Sequence, residues 1–168
     1  MKKFDQLAIV VDSLTRQDAL TRLGAWTADT VVTKGVDNAG HLIENRARLM
    51  FNYDQWPMEY EVLLYEEGWN WHMLNPFQDS PYLSHYGQHV PAGAAGYEAI
   101  ESAKEQWPVL QESVTQSHTN PTIAESRRYR YVIFDTREHL GAELKLIQRL
   151  TIEEAAVVLA EVMMGARG

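Results

Sequence analysis

Two carboxylates, Glu59 and Glu61, stand two residues apart in the segment Met58–Tyr65. The even positions of that segment, Met58, Tyr60, Val62 and Leu64, are apolar or aromatic, which reads as a β-strand of period two. The same period places both carboxylates on one face, where paired acids can move protons or ligate a cation. Gln6 in FDQLAIVV and His85 in LSHYGQHV belong to two further strand-like runs, 79 positions apart. Each is followed two residues later by a small residue, Ala8 and Gly87, which leaves room for a ligand over the polar group. Glu143 and Lys145 share one face of the run Gly141–Arg149. Neutral imidazole with oxygen donors suits Zn, Ni, Co, Mn or Fe, and a chain without cysteine lacks the sulfur ligands that select softer ions. A metal-free polar pocket fits the same residues. So does a solvent-facing sheet surface, which also alternates polar and apolar positions.

Other residues carry chemistry less specifically. His72 and His89 suit accessory ligation or acid–base work, because histidine as a residue type titrates near neutrality, or a plain surface hydrogen bond. Trp69, Trp71 and Phe77 suit the mouth of a pocket, a core or a subunit contact. Arg127, Arg128 and Arg130 form a basic cluster that can grip a carboxylate or phosphate, or lie salt-bridged on a strand surface; Arg46 and Arg48 share one strand face with the same two readings. There is no P-loop, dinucleotide fingerprint, G-x-S-x-G or H-E-x-x-H.

The elements that must position these residues fall into two similar halves. Phe4–Val11 reads as a strand. Asp12 or Ser13 caps a helix that Gly24 stops, with Leu14, Leu20 and Leu23 on one apolar stripe. Strands follow over Thr30–Val36, His41–Phe51 and Met58–Tyr65. Residues 67–82 form a connector without periodicity. The order then recurs: strand Leu83–Val90, helix Ala94–Trp107, and strands Pro108–Ser117, Arg127–Asp135 and Gly141–Arg149. Thr151 and Glu154 make a capping box ahead of a closing helix that ends near Gly165. The expectation is an α+β fold of two βαβββ modules, about 4–66 and 83–150, plus an extra helix over 151–166, in one domain spanning 1–168.

FDQLAIVVDSL, LSHYGQHV and YVIFDTREHLGAELKLIQRL, taken in order, resemble strand motifs of the vicinal oxygen chelate superfamily, the glyoxalase, bleomycin-resistance and dioxygenase group. The resemblance covers about residues 4–150. It implies two curved sheets paired into a cup. In many members the cup floor holds a divalent metal through one side chain from the first and one from the fourth strand of each module. On that pattern Gln6, Glu61 and His85 are three metal ligands. Counting four residues from Gly141 lands on Lys145, so either Glu143 is the fourth ligand on a strand shifted by two, or that ligand is lost. The resemblance further implies a metal-dependent lyase or isomerase acting on a small oxygenated substrate through an enediolate. Glu143 or Glu61 would be the general base, with Lys145, Arg130 and Glu59 facing the substrate. A metal-free protein that sequesters a compound in the cup is the alternative.

Composition bounds the partners. The chain has 168 residues, 45% hydrophobic and 23% charged, as in a soluble globular fold. Its formal net charge of −8 gives no general attraction to phosphate backbones, which disfavours a nucleic-acid partner. No apolar run approaches a membrane span, and the opening residues are broken by Asp5 and Asp12, unlike a signal peptide. A cytoplasmic protein with a small-molecule ligand is expected. A homodimer is expected too, because the closing helix is apolar around much of its circumference.

Overall fold

Strand periodicity governs the architecture of the computed structural model, which describes residues 4–54, 58–68, 70 and 82–166. The first half runs β1 (Gln6–Val11), α1 (Leu14–Leu20), β2 (Thr27–Asp37), β3 (Leu42–Asn52) and β4 (Glu59–Gly68). The second runs β5 (Tyr82–Val90), α2 (Ala94–Gln106), β6 (Val109–Ser117), α3 (Pro121–Ser126), β7 (Arg128–Phe134), α4 (Arg137–Leu140) and β8 (Glu143–Leu150). A closing helix, α5 (Ile152–Met163), follows. The βαβββ repeat and the extra helix are therefore present. The short helices α3 and α4 form the links from β6 to β7 and from β7 to β8. Asn120 accepts from the Ile123 amide at 3.2 Å with Pro121 in the first turn of α3, and Gly141 ends α4 in the left-handed region at φ 76°.

The strands hydrogen-bond in the order β1-β4-β3-β2-β6-β7-β8-β5 and close into a barrel. The halves meet along two antiparallel seams, β1 against β5 and β2 against β6. One face of each strand points into the barrel. On that side Ala8, Val10, Ala47, Leu49 and Leu63 pack as an apolar cluster. The outer face is covered by helices. Ile100 of α2 packs on Val90, Val132, Phe134 and Leu146, while Ala155 and Val158 of α5 pack on Val114 and Leu150. The expected capping box holds α5: Thr151 Oγ1 accepts from the Glu154 amide at 3.1 Å, and Glu154 Oε2 accepts from the Thr151 amide at 2.8 Å. No helix among the described residues is long and apolar enough to cross a membrane.

The first helix departs from expectation. Leu14, Leu20 and Leu23 are exposed at 51%, 41% and 85%, and the buried residue of α1 is Gln17. Its amide nitrogen donates to the carbonyls of Arg48 and Val62 at 3.0 and 2.9 Å, while Arg48 Nη1 donates to its oxygen at 2.5 Å. Those hydrogen bonds, rather than an apolar stripe, dock α1 on the sheet.

Close approach across the second seam needs Gly35. A Cβ there would meet the Glu112 carbonyl oxygen at 2.2 Å. Gly35→Ala is expected to destabilise the fold by about 3 kcal/mol, the upper range for overpacking, lowering Tm by roughly 6–12 °C. A Tm within a degree or so of wild type would mean that β2 and β6 are not so tightly joined.

Candidate functional site

The barrel encloses a cavity of about 200 Å³ that runs from the β1–β5 seam to the β2–β6 seam. Val31, Ala47, Leu49, Phe51 and Leu63 supply an apolar wall. Gln6, Glu59, Glu61 and Lys145 supply the polar end at the β1–β5 seam. Glu59, Glu61, Leu63 and Tyr65 of β4, with Lys145 and Ile147 of β8, face the cavity, as period two requires.

Register explains which side chains meet. Gln6 pairs with Glu59 and Ala8 with Glu61 between β1 and β4; His85 pairs with Glu143 and Gly87 with Lys145 between β5 and β8. The two halves are thus equivalent position by position. Gln6 corresponds to His85, Glu59 to Glu143, and Glu61 to Lys145. The place that holds a carboxylate in the first half holds an ammonium in the second.

A hydrogen-bonded chain crosses the seam beneath that pair. Burial, reinforced by the Lys145 charge, pushes the His85 imidazole well below its ordinary range, so the ring is neutral. Ser84 Oγ donates to His85 Nδ1 at 3.1 Å, and His85 Nε2 donates to Gln6 Oε1 at 3.2 Å. Gln6 Nε2 then donates to Glu59 Oε1 at 2.5 Å, and the Tyr53 hydroxyl bonds the same carboxylate. Gly87 serves this chain. A Cβ there would meet Gln6 Oε1 at 2.5 Å, so the small residue makes room for Gln6 itself and not for a ligand. Ala8 likewise lies in the apolar cluster.

Glu61 stands apart from the chain. It is 3% exposed, and its Oε2 has no hydrogen-bond partner among the described residues. That oxygen lies 3.5 Å from His85 Nε2 and 4.0 Å from Lys145 Nζ. Burial raises its pKa, with Lys145 and then His89 opposing the shift. Glu59 is also raised, first by burial and then by Glu61. The Lys145 ammonium rests 4.7 Å from the centroid of the Tyr131 ring. Tyr131 is itself fixed, its hydroxyl accepting from Asn70 and Gln111 at 3.2 and 3.0 Å.

The expected metal set is partly assembled. Gln6 Oε1 lies 3.2 Å and Glu61 Oε2 3.5 Å from His85 Nε2, separations of the kind that neighbouring ligands show around an ion with bonds of about 2.1 Å. Glu143 is buried beside His85 but does not line the cavity, and no three His, Asp or Glu residues converge as a metal group among the described residues. An ammonium occupies the remaining equivalent place. Three donors facing a fixed cation do not make a site for a divalent ion.

The remaining expected residues separate by strand face. Arg130, expected at the substrate, is on the outer face of β7. Its guanidinium donates to Glu112 Oε1 and Glu101 Oε1 there, and it cannot reach the cavity. Arg128 bonds the Ala124 and Arg127 carbonyls. Arg127 lines the cavity. His89 stands at its mouth, with Nδ1 2.8 Å from Asp5 Oδ1. Arg46 is paired with Glu66 and Glu67, and Arg48 with Asp18, on the outer side of β3. His72, Trp69, Trp71 and Phe77 lie outside the described residues.

No family model matches the chain, and no curated protein matches its sequence. Solved structures are similar in chain path. A methylmalonyl-CoA epimerase variant from Streptomyces coelicolor, in complex with 2-nitronate-propionyl-CoA, is 13% identical, covers 88% of this chain and 97% of its own, and has a TM-score of 0.44. The methylmalonyl-CoA epimerase from Mycobacterium tuberculosis is 9% identical over 86% of both chains, with a TM-score of 0.46. A variant of 4-hydroxymandelate synthase from Streptomyces coelicolor is 14% identical over 95% of this chain and 55% of its own, with a TM-score of 0.38. These neighbours are members of the vicinal oxygen chelate superfamily. At such identity the likeness carries no activity across.

The raised pKa of Glu61 has a consequence for stability. A carboxyl raised by folding contributes stability below its ordinary range, near 4.3, and loses it as pH rises through the folded value. His85 has the opposite sign: its contribution is present above about 6.5 and is lost as pH falls through the depressed value. Glu61→Gln, which removes only the carboxyl titration, is expected to raise Tm by about 3 °C at pH 8 and by less at pH 5. Thermal melts across that range check it. A lower Tm at every pH would show that the Lys145 pair outweighs the cost of burying the charge.

Proposed function

We propose that the protein is an enzyme that moves a proton on a carbon next to a carbonyl group of a small oxygenated substrate, as an isomerase or lyase does. The observation that supports it is the buried Glu61 oxygen, without a hydrogen bond among the described residues, beside the Lys145 ammonium on a cavity wall. In this reading Glu61 Oε2 takes the proton. The C–H electron pair moves to the carbon–carbon bond, and the carbonyl π pair moves to oxygen. Lys145 holds the negative charge that gathers there as the enolate or enediolate forms. Glu61 then returns the proton to the same or the neighbouring carbon. Glu59, held by Gln6 and Tyr53, keeps the seam chain aligned beneath the reacting carbon. The ammonium supplies the positive charge that a divalent ion would supply in a four-donor site, and no step requires a metal. Glu143, buried beside His85, supports that wall and does not touch substrate.

The second reading is a metal-free protein that sequesters a compound in the cavity. The apolar wall favours it, as does mutual neutralisation of Glu61 and Lys145. A homodimer belongs to either reading, since α5 leaves Val157 60% exposed.

Proton exchange separates the two. In D₂O the wild-type protein is expected to catalyse deuterium incorporation next to the carbonyl of small ketones, followed by proton NMR, with no loss in EDTA. Glu61→Gln is expected to slow it by about 10²-fold or more, and Lys145→Met to slow it while leaving ketone binding within a few-fold. Binding without exchange in the wild type would favour the sequestering protein.

A further inference from the structure

We infer that Arg127 anchors a carboxylate of the substrate at the β2–β6 end of the cavity, so that the substrate is a small keto acid and not a neutral ketone. The inference rests on the reading of Glu61 and Lys145 as the reacting end. Arg127 lies where α3 ends: its amide donates to the Ile123 carbonyl at 3.1 Å, and β7 begins at the next residue. Both Ile123 and Arg127 line the cavity, so the short helix closes that end with one apolar and one cationic side chain. Arg127 Nε donates to the Tyr129 hydroxyl at 2.8 Å, which fixes the guanidinium plane. Arg127 makes no ion pair among the described residues, whereas the other cation on the wall, Lys145, lies against Glu61. Its Nη1 and Nη2 edges therefore remain for a planar acceptor, and a carboxylate matches that fork.

Asp29 lies at the same end but does not answer this charge. Its Oδ1 accepts from Ser117 and Thr119, each at 2.8 Å, and no ion pair joins it to Arg127. A carboxylate on Arg127 must be turned away from Asp29, which fixes the ligand's orientation. Arg127, already extended at the end of α3, is four positions before Tyr131, whose ring carries Lys145. At about 3.3 Å per residue their Cα atoms lie roughly 13 Å apart, which puts the spacing of the two cations on the order of 10 Å. The substrate's anion is therefore remote from its reacting carbon. Binding energy gained at Arg127 is available to hold the carbonyl against Lys145.

The test uses 7-oxooctanoate and its neutral counterpart 7-oxooctanamide, titrated calorimetrically into the full chain. The wild type is expected to bind the acid about tenfold or more tightly than the amide. Arg127→Gln is expected to abolish that preference with amide affinity unchanged, and Arg127→Lys to keep part of it. Because Glu61 lies at the other end, Glu61→Gln is expected to keep the preference while losing deuterium exchange. Equal affinity for acid and amide in the wild type, no binding of either, or an acid preference that survives Arg127→Gln would overturn the assignment. Acid preference without exchange in the wild type would sink the proton-transfer reading and leave Arg127 in place.

Discussion

A carboxylate oxygen buried without a hydrogen bond is expensive, and among the described residues Glu61 keeps one at the wall of a cavity. The rest of the barrel is arranged to hold it there. Register in β4 directs it inward, the antiparallel β1–β5 seam brings His85 to 3.5 Å, and β8 brings the Lys145 ammonium to 4.0 Å. Neither neighbour satisfies it fully: the imidazole is neutral and already donates to Gln6, and the ammonium is at the limit of an ion pair. An unsatisfied group of this kind persists when something beyond stability holds it in place.

The two halves share one backbone plan but differ in charge at equivalent positions. Gln6 and His85 occupy the same place in their modules, and both are neutral hydrogen-bonding groups that meet at 3.2 Å. Glu61 and Lys145 occupy the next equivalent place with opposite charge. That reversal makes an acid and a cation face each other across one cavity, which a strictly repeated sequence would not do. Strand β7 reinforces the arrangement, since Tyr131 is locked by Asn70 and Gln111 and in turn carries the ammonium.

Much of the barrel was legible because period two is a local signal. Met58–Tyr65 showed both which residues form a strand and which of them share the cavity face. The capping box of Thr151 and Glu154 was equally local. What was not legible depended on pairing between distant strands. Nothing in GAELKLIQR says whether Glu143 or Lys145 lies level with Glu61; the registers of β1 with β4 and of β5 with β8 decide it. The small residue Gly87 suggests space for a ligand and proves to be space for Gln6, a residue on the neighbouring strand. The basic cluster looks like one feature in the sequence, but strand parity divides it: Arg127, Tyr129 and Tyr131 line the cavity while Arg130 turns outward to Glu101 and Glu112. Alternation within RRYRYVIF was the available signal. Helix α1 misled for a different reason. Its docking uses the hydrogen bonds of Gln17, which hydrophobic periodicity does not register.

The central claim is that Glu61 and Lys145 form one electrostatic unit inside the barrel. It is tested most directly by carbon-13 NMR titration of the Glu61 carboxyl in the wild type and in Lys145→Met. The account predicts a Glu61 pKa above the ordinary carboxylate range in the wild type, and a further rise once the ammonium that opposes the shift is removed. A Glu61 that titrates as an exposed glutamate does, unmoved by Lys145→Met, would contradict it.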